Sequence, residues 1–106
     1  MKMIVYHVTN LTNLSNIKKQ GLYPQMGPRS QELGETEKCI FVFINLDDVD
    51  EAVSNWLGDE FDDDERLFCI TINVPNSWVK DSDVEYEKRI YRIIKPDRFV
   101  KINEIL

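Results

Sequence analysis

One histidine, His7, stands in Ile4-Val5-Tyr6-His7-Val8-Thr9, a β-prone apolar stretch that breaks at Thr9-Asn10. An imidazole carried to the end of a strand, where a helix begins, can contact a ligand; the alternative is a histidine that only serves the core. Later in the chain Glu85 and Glu87 form a Glu-x-Glu pair. In an extended strand two carboxylates at that spacing share a face, about 7 Å apart. Arg29 and Ser30 follow Gly27-Pro28 in a polar, turn-rich loop. Long loops in small domains are usually functional or disordered, and this one suits closure over an anion. A guanidinium there would offer planar, bidentate contact to a phosphate. A surface loop without a ligand has the same composition.

Other chemistries find less material. Cys39 and Cys69 fall inside apolar strand-like runs and read as buried thiols that pack as small hydrophobes. Two distant cysteines and one histidine supply too few ligands for a zinc site. Residues 59–65 hold six carboxylates in seven positions, but without the spaced pattern and closing glutamate of a calcium loop. That run reads as a solvated acidic connection, which repels nucleic acid and attracts a basic protein. The net charge of −6 points the same way, although Lys88, Arg89, Arg92, Lys95, Arg98 and Lys101 form a modest basic grouping. No apolar run reaches the roughly 20 residues that span a bilayer, and the opening residues do not build a signal-peptide core. A cytoplasmic protein is the expectation.

The elements that must position these groups follow from periodicity. With 106 residues, 42% of them hydrophobic, the chain suits one domain with one modest core. Leu11, Leu14 and Ile17 mark one side of a short helix, with an Asn or Thr cap before it and Gly21 at its end. The run 39–44 predicts a strand buried on both faces. From Leu46 to Leu57 the spacing predicts a second helix, acidic in its first turn and stopped by Gly58, with Trp56 on its core side. The run 67–74 predicts a strand with Phe68, Ile70, Ile72 and Val74 on one face. Residues 84–94 predict another, and Phe99 to Ile102 a last one. Helices early and neighbouring strands late suggest α+β rather than a doubly wound parallel sheet.

Taken together, "YHVTNLTNLSNIKKQGL", the aromatic strand Phe41-x-Phe43 and "VEYEKRIYRIIKPDRFVKI" resemble the ADP-ribosyltransferase superfamily in its histidine-type branch. The likeness is to small bacterial and phage members of the DarT kind and, more distantly, to RNA 2′-phosphotransferases. It rests on the opening Y-H-x-T motif and on a glutamate before a late strand that runs into a Pro-[DE]-x-[IF] turn. The resemblance implies a single α+β domain with a split β-sheet and two helices, and a cleft that takes NAD as substrate. It implies that His7 donates a hydrogen bond to the adenosine ribose, and that backbone groups around Val8 and Thr9 pair with the nicotinamide carboxamide. Phe41 or Phe43 would lie near the nicotinamide. Glu87 would accept from the nicotinamide-ribose 2′-hydroxyl and stabilise the cation formed as nicotinamide leaves, an electrostatic device of high value in a dry cleft. Glu85 is a candidate on the acceptor side, with a solvated edge carboxylate as the alternative. Arg29 is placed near the pyrophosphate by composition alone.

The resulting expectation is a mono-ADP-ribosyltransferase acting on a macromolecule, with a protein acceptor favoured by the acidic charge. A binding or inhibitor module on the same scaffold, engaging a basic partner through residues 59–65, is the rival. Phosphate removal from RNA or modification of DNA ranks lower, because the basic residues are scattered.

Overall fold

Alternation along β1 (Lys2–Asn10) divides its side chains between two apolar clusters. Val5, with Met3 packed beside it, joins a larger core of Leu14, Leu22, Ile40, Val42, Ile70, Ile72, Val74, Ile90 and Ile94. Val8, with Tyr6 beside it, belongs to a smaller core of Phe43, Val49, Ala52 and Leu67 on the other face. The computed structural model describes residues 1–25, 38–54, 66–82 and 87–105. Among these lie two α-helices, α1 (Leu11–Gln20) and α2 (Leu46–Ala52). Five further strands are present: β2 (Ile40–Val42), β3 (Leu67–Pro75), β4 (Val79–Asp81), β5 (Lys88–Ile90) and β6 (Phe99–Glu104).

The strands form two antiparallel three-stranded sheets, ordered β1-β3-β6 and β2-β5-β4. They meet at one bridge, where Tyr6 and Phe43 exchange both backbone hydrogen bonds at 2.8 Å. The molecule is thus a small mixed α/β domain with two helices and a pair of sheets. β3 pairs along the whole of β1, Lys2 opposite Pro75 through Asn10 opposite Leu67. Its Ile70, Ile72 and Val74 enter the larger core with Phe68 packed against it, as the alternation predicted.

Both helices are capped as their sequences demand. The Asn10 side chain accepts from the Asn13 amide at 3.0 Å, and that of Asn45 from the Asp48 amide at 2.8 Å. Asp47 and Asp48 occupy the first turn of α2, where the helix dipole favours negative charge. After α1 the chain turns at Gly21, with φ +90°. A Cβ there would stand 2.2 Å from the carbonyl oxygen of Ile94, so both conformation and space call for glycine.

Several expected elements are shorter than their patterns suggested. The strand predicted over 39–44 is regular only from Ile40 to Val42, because its ends change partners: Cys39 bridges Gln25 and Phe43 bridges Tyr6. The strand predicted over 84–94 is regular only from Lys88 to Ile90 among the described residues. Beyond it Tyr91 and Ile93 are exposed, and Ile94 leaves the sheet to pair with Leu22. β4 had no periodic signal, since three residues cannot establish one. The second helix is described to Ala52; Trp56, Leu57, Gly58 and the acidic run 59–65 lie outside the described residues. No helix among the described residues is long and apolar enough to cross a membrane.

A candidate ligand site at the end of β1

His7 and Thr9 project from the same face of β1 as Val5, but beyond the point where the larger core ends. Here the two sheets part, and a cavity of about 410 Å³ opens between β1, α1 and the start of β2. His7, Thr9, Asn13, Asn16, Gln20 and Gln25 supply its polar lining, Tyr23 and Phe41 its aromatic lining. Among the described residues that line it, no side chain is formally charged. Such a wall offers many neutral donors and acceptors, and suits an uncharged, hydrogen-bonding group with a flat face.

The state of the imidazole follows from its neighbour. His7 Nδ1 lies 2.8 Å from the carbonyl oxygen of Phe41. A carbonyl can only accept, so Nδ1 carries the proton and donates. Burial holds the imidazole below its ordinary pKa, against the Phe41 hydrogen bond, which pulls upward. The ring is therefore neutral near pH 7, and Nε2 is left with a lone pair. With Nδ1 committed to Phe41, Nε2 is the ring nitrogen that remains, and in the neutral ring it can only accept.

The backbone of β1 adds a second docking element. Tyr6 turns its N–H and C=O outward to Phe43, away from β3. Antiparallel pairing alternates this direction residue by residue, and the β1–β3 register runs without a break. Two residues on, the N–H and C=O of Val8 also face away from β3, past the Phe43 bridge. Val8 lines the cavity. One donor and one acceptor side by side on an open strand edge match the two ends of a carboxamide.

The remaining predicted residues divide sharply. Phe41 reaches the cavity, while Phe43 does not: it is buried against Val8, Val49 and Leu67 in the smaller core. Phe41 also carries the Arg89 guanidinium over its ring at 5.6 Å, across the β2–β5 pair. Glu87 precedes β5, is only 1% exposed, and accepts from the Ser82 hydroxyl at 3.4 Å. It is absent from the described lining of the cavity. Arg29 and Glu85 lie outside the described residues.

Sequence reasoning missed the amides of Asn13, Asn16, Gln20 and Gln25. Asn13, Asn16 and Gln20 recur at helical spacing on a side of α1 distinct from Leu14, a polar stripe that could have flagged them. It did place both cysteines correctly as buried free thiols. Burial pushes the Cys69 thiol up to about 11, with Lys101 opposing, so it stays protonated and unreactive at neutral pH. No protein-family model, curated protein or solved structure matches the chain.

Proposed function

We propose that the protein binds NAD in the cavity at the end of β1 and transfers ADP-ribose to a macromolecular acceptor, on an ADP-ribosyltransferase-like split sheet. The observation that carries this reading is the pairing of two neutral docking groups on adjacent residues. His7 offers an Nε2 acceptor for a ribose hydroxyl, and the Val8 backbone offers a donor and an acceptor for a carboxamide. The amide and aromatic lining suits the uncharged parts of a dinucleotide. In this reading Glu87 stabilises the ribose cation as nicotinamide departs, Arg29 holds the pyrophosphate and Glu85 serves the acceptor.

A second reading is favoured by one observation, the burial of Glu87 away from the cavity. It keeps the dinucleotide site and omits the chemistry: a binding module, engaging its partner through the acidic run 59–65.

Calorimetric titration of NAD into wild type and His7→Ala tests the site, and nicotinamide release by wild type and Glu87→Gln tests the chemistry. Saturable binding lost in His7→Ala, with release abolished in Glu87→Gln, supports transfer. Binding without release in either protein favours the module. No binding at millimolar NAD overturns both.

A further inference from the structure

β6 ends one side of the sheet β1-β3-β6, and among the described residues no strand pairs with its outer edge. The direction of its backbone groups follows from one hydrogen bond. The Ile105 amide donates to the Leu67 carbonyl at 2.8 Å, and the same register sets Asn103 opposite Cys69 and Lys101 opposite Thr71. Antiparallel alternation then turns the N–H and C=O of Ile102 and Glu104 away from β3. The edge is open to solvent: Val100 is 58% exposed, and Lys101, Asn103 and Glu104 are exposed as well. Outward amides and carbonyls beside an exposed valine are a template for another strand.

The side chains decide which strand fits. A two-fold axis perpendicular to the sheet sets one residue of β6 against the same residue of a second copy. The bulge opposite Thr71 and Ile72 ends the regular edge at Val100, so the centre lies beyond it. Centred on Lys101 or on Glu104, the axis brings two like charges face to face, which destabilises a pair. Centred on Asn103, it sets Ile102 against Glu104, whose carboxylate is already held by Arg66 at 2.6 and 3.1 Å. Centred on Ile102, it meets none of these conflicts. The outward N–H and C=O of the two Ile102 residues bond to each other, and Lys101 of each copy lies opposite Asn103 of the other. That pair is of the non-hydrogen-bonded kind, in which side chains stand closest. The Lys101 ammonium, in no ion pair among the described residues, donates there to the Asn103 amide oxygen. Charges that commonly guard an edge therefore select a register here.

We infer that the chain forms a two-fold dimer by pairing β6 with β6 of a second copy, centred on Ile102, to give a continuous six-stranded sheet. The cavity lies at the end of β1, on the opposite edge of the same sheet, so both cavities stay open at the outer rims of the dimer. The inference is independent of the transferase reading: it concerns a different surface, and its test uses no NAD.

Sedimentation velocity of the full chain, from micromolar to millimolar protein, tests it. The expected result is a reversible monomer–dimer equilibrium, with hydrogen exchange at the Ile102 amide slowing as the dimer forms. The exposed position 103 then reads the register. Asn103→Asp sets a carboxylate opposite each Lys101 and tightens the dimer about fivefold over its two pairs, whereas Asn103→Lys sets lysine against lysine and weakens it by a similar factor. Thermal melts check that both variants are folded. A chain that stays monomeric at millimolar concentration overturns the inference, as does a dimer whose Ile102 amide exchanges at the monomer rate. A dimer that both substitutions weaken, in favour of the Asn103-centred register, or that neither alters, in favour of a different face, also overturns it.

Discussion

At the end of β1, His7 opens onto a cavity of about 410 Å³, whereas Glu87, before β5, is sealed at 1% exposure. The two positions are embedded differently. His7 lies where the two sheets part, at a strand edge that β2 leaves after the Phe43 bridge, and both it and Val8 line the cavity. Glu87 lies where the second sheet closes, one residue before Lys88 pairs with Val42, and the Ser82 hydroxyl bonds to it. The contrast teaches that the fold leaves a cavity open beside His7 while it packs the Glu87 carboxylate among its neighbours. Binding and stability should therefore separate under mutation.

The largest effect is expected at Gly21, in the wall of the cavity. Gly21→Ala must put a Cβ against the Ile94 carbonyl at positive φ, and should cost about 3 kcal/mol or more in urea unfolding. Glu87→Ala should follow, losing about 2–3 kcal/mol through an emptied buried site and the lost Ser82 hydrogen bond, while NAD affinity per folded molecule stays near wild type. His7→Ala should do the reverse: about tenfold or more in NAD affinity, with a small change in stability. If Glu87→Ala instead removed binding at full stability, the contrast would collapse.

Acid gives a finer test. The folded pKa of His7 is depressed, so the unfolded state binds the proton more readily. The contribution of His7 is complete above about pH 6.5 and is lost as the pH falls through that value towards the folded pKa. Urea midpoints measured between pH 7 and 5 should fall less steeply in His7→Asn than in wild type. The smallest effect expected is Asn10→Ala, about 1 kcal/mol from loss of the α1 cap.

What the sequence made legible was local. The caps at Asn10 and Asn45, the stop at Gly21 and the inward face of β3 each follow from side chains within a few residues. What it hid depends on partners far along the chain. Phe41 and Phe43 alternate on paper, but only the bridge to Tyr6 sends Phe43 into the smaller core, while the Phe41 carbonyl accepts a hydrogen bond from His7. The tautomer of His7, the outward edge of Val8 and the pairing of two arginines on Trp78 are long-range facts of the same kind. Short elements such as β4 lack enough residues to declare a period.

Because His7 is the only histidine, its ring nitrogens can be read directly by nitrogen-15 NMR, with and without NAD. The account predicts a neutral ring at pH 7, protonated on Nδ1, whose Nε2 resonance alone shifts strongly as NAD saturates the protein. A proton on Nε2, or a ring whose resonances ignore saturating NAD, would contradict it.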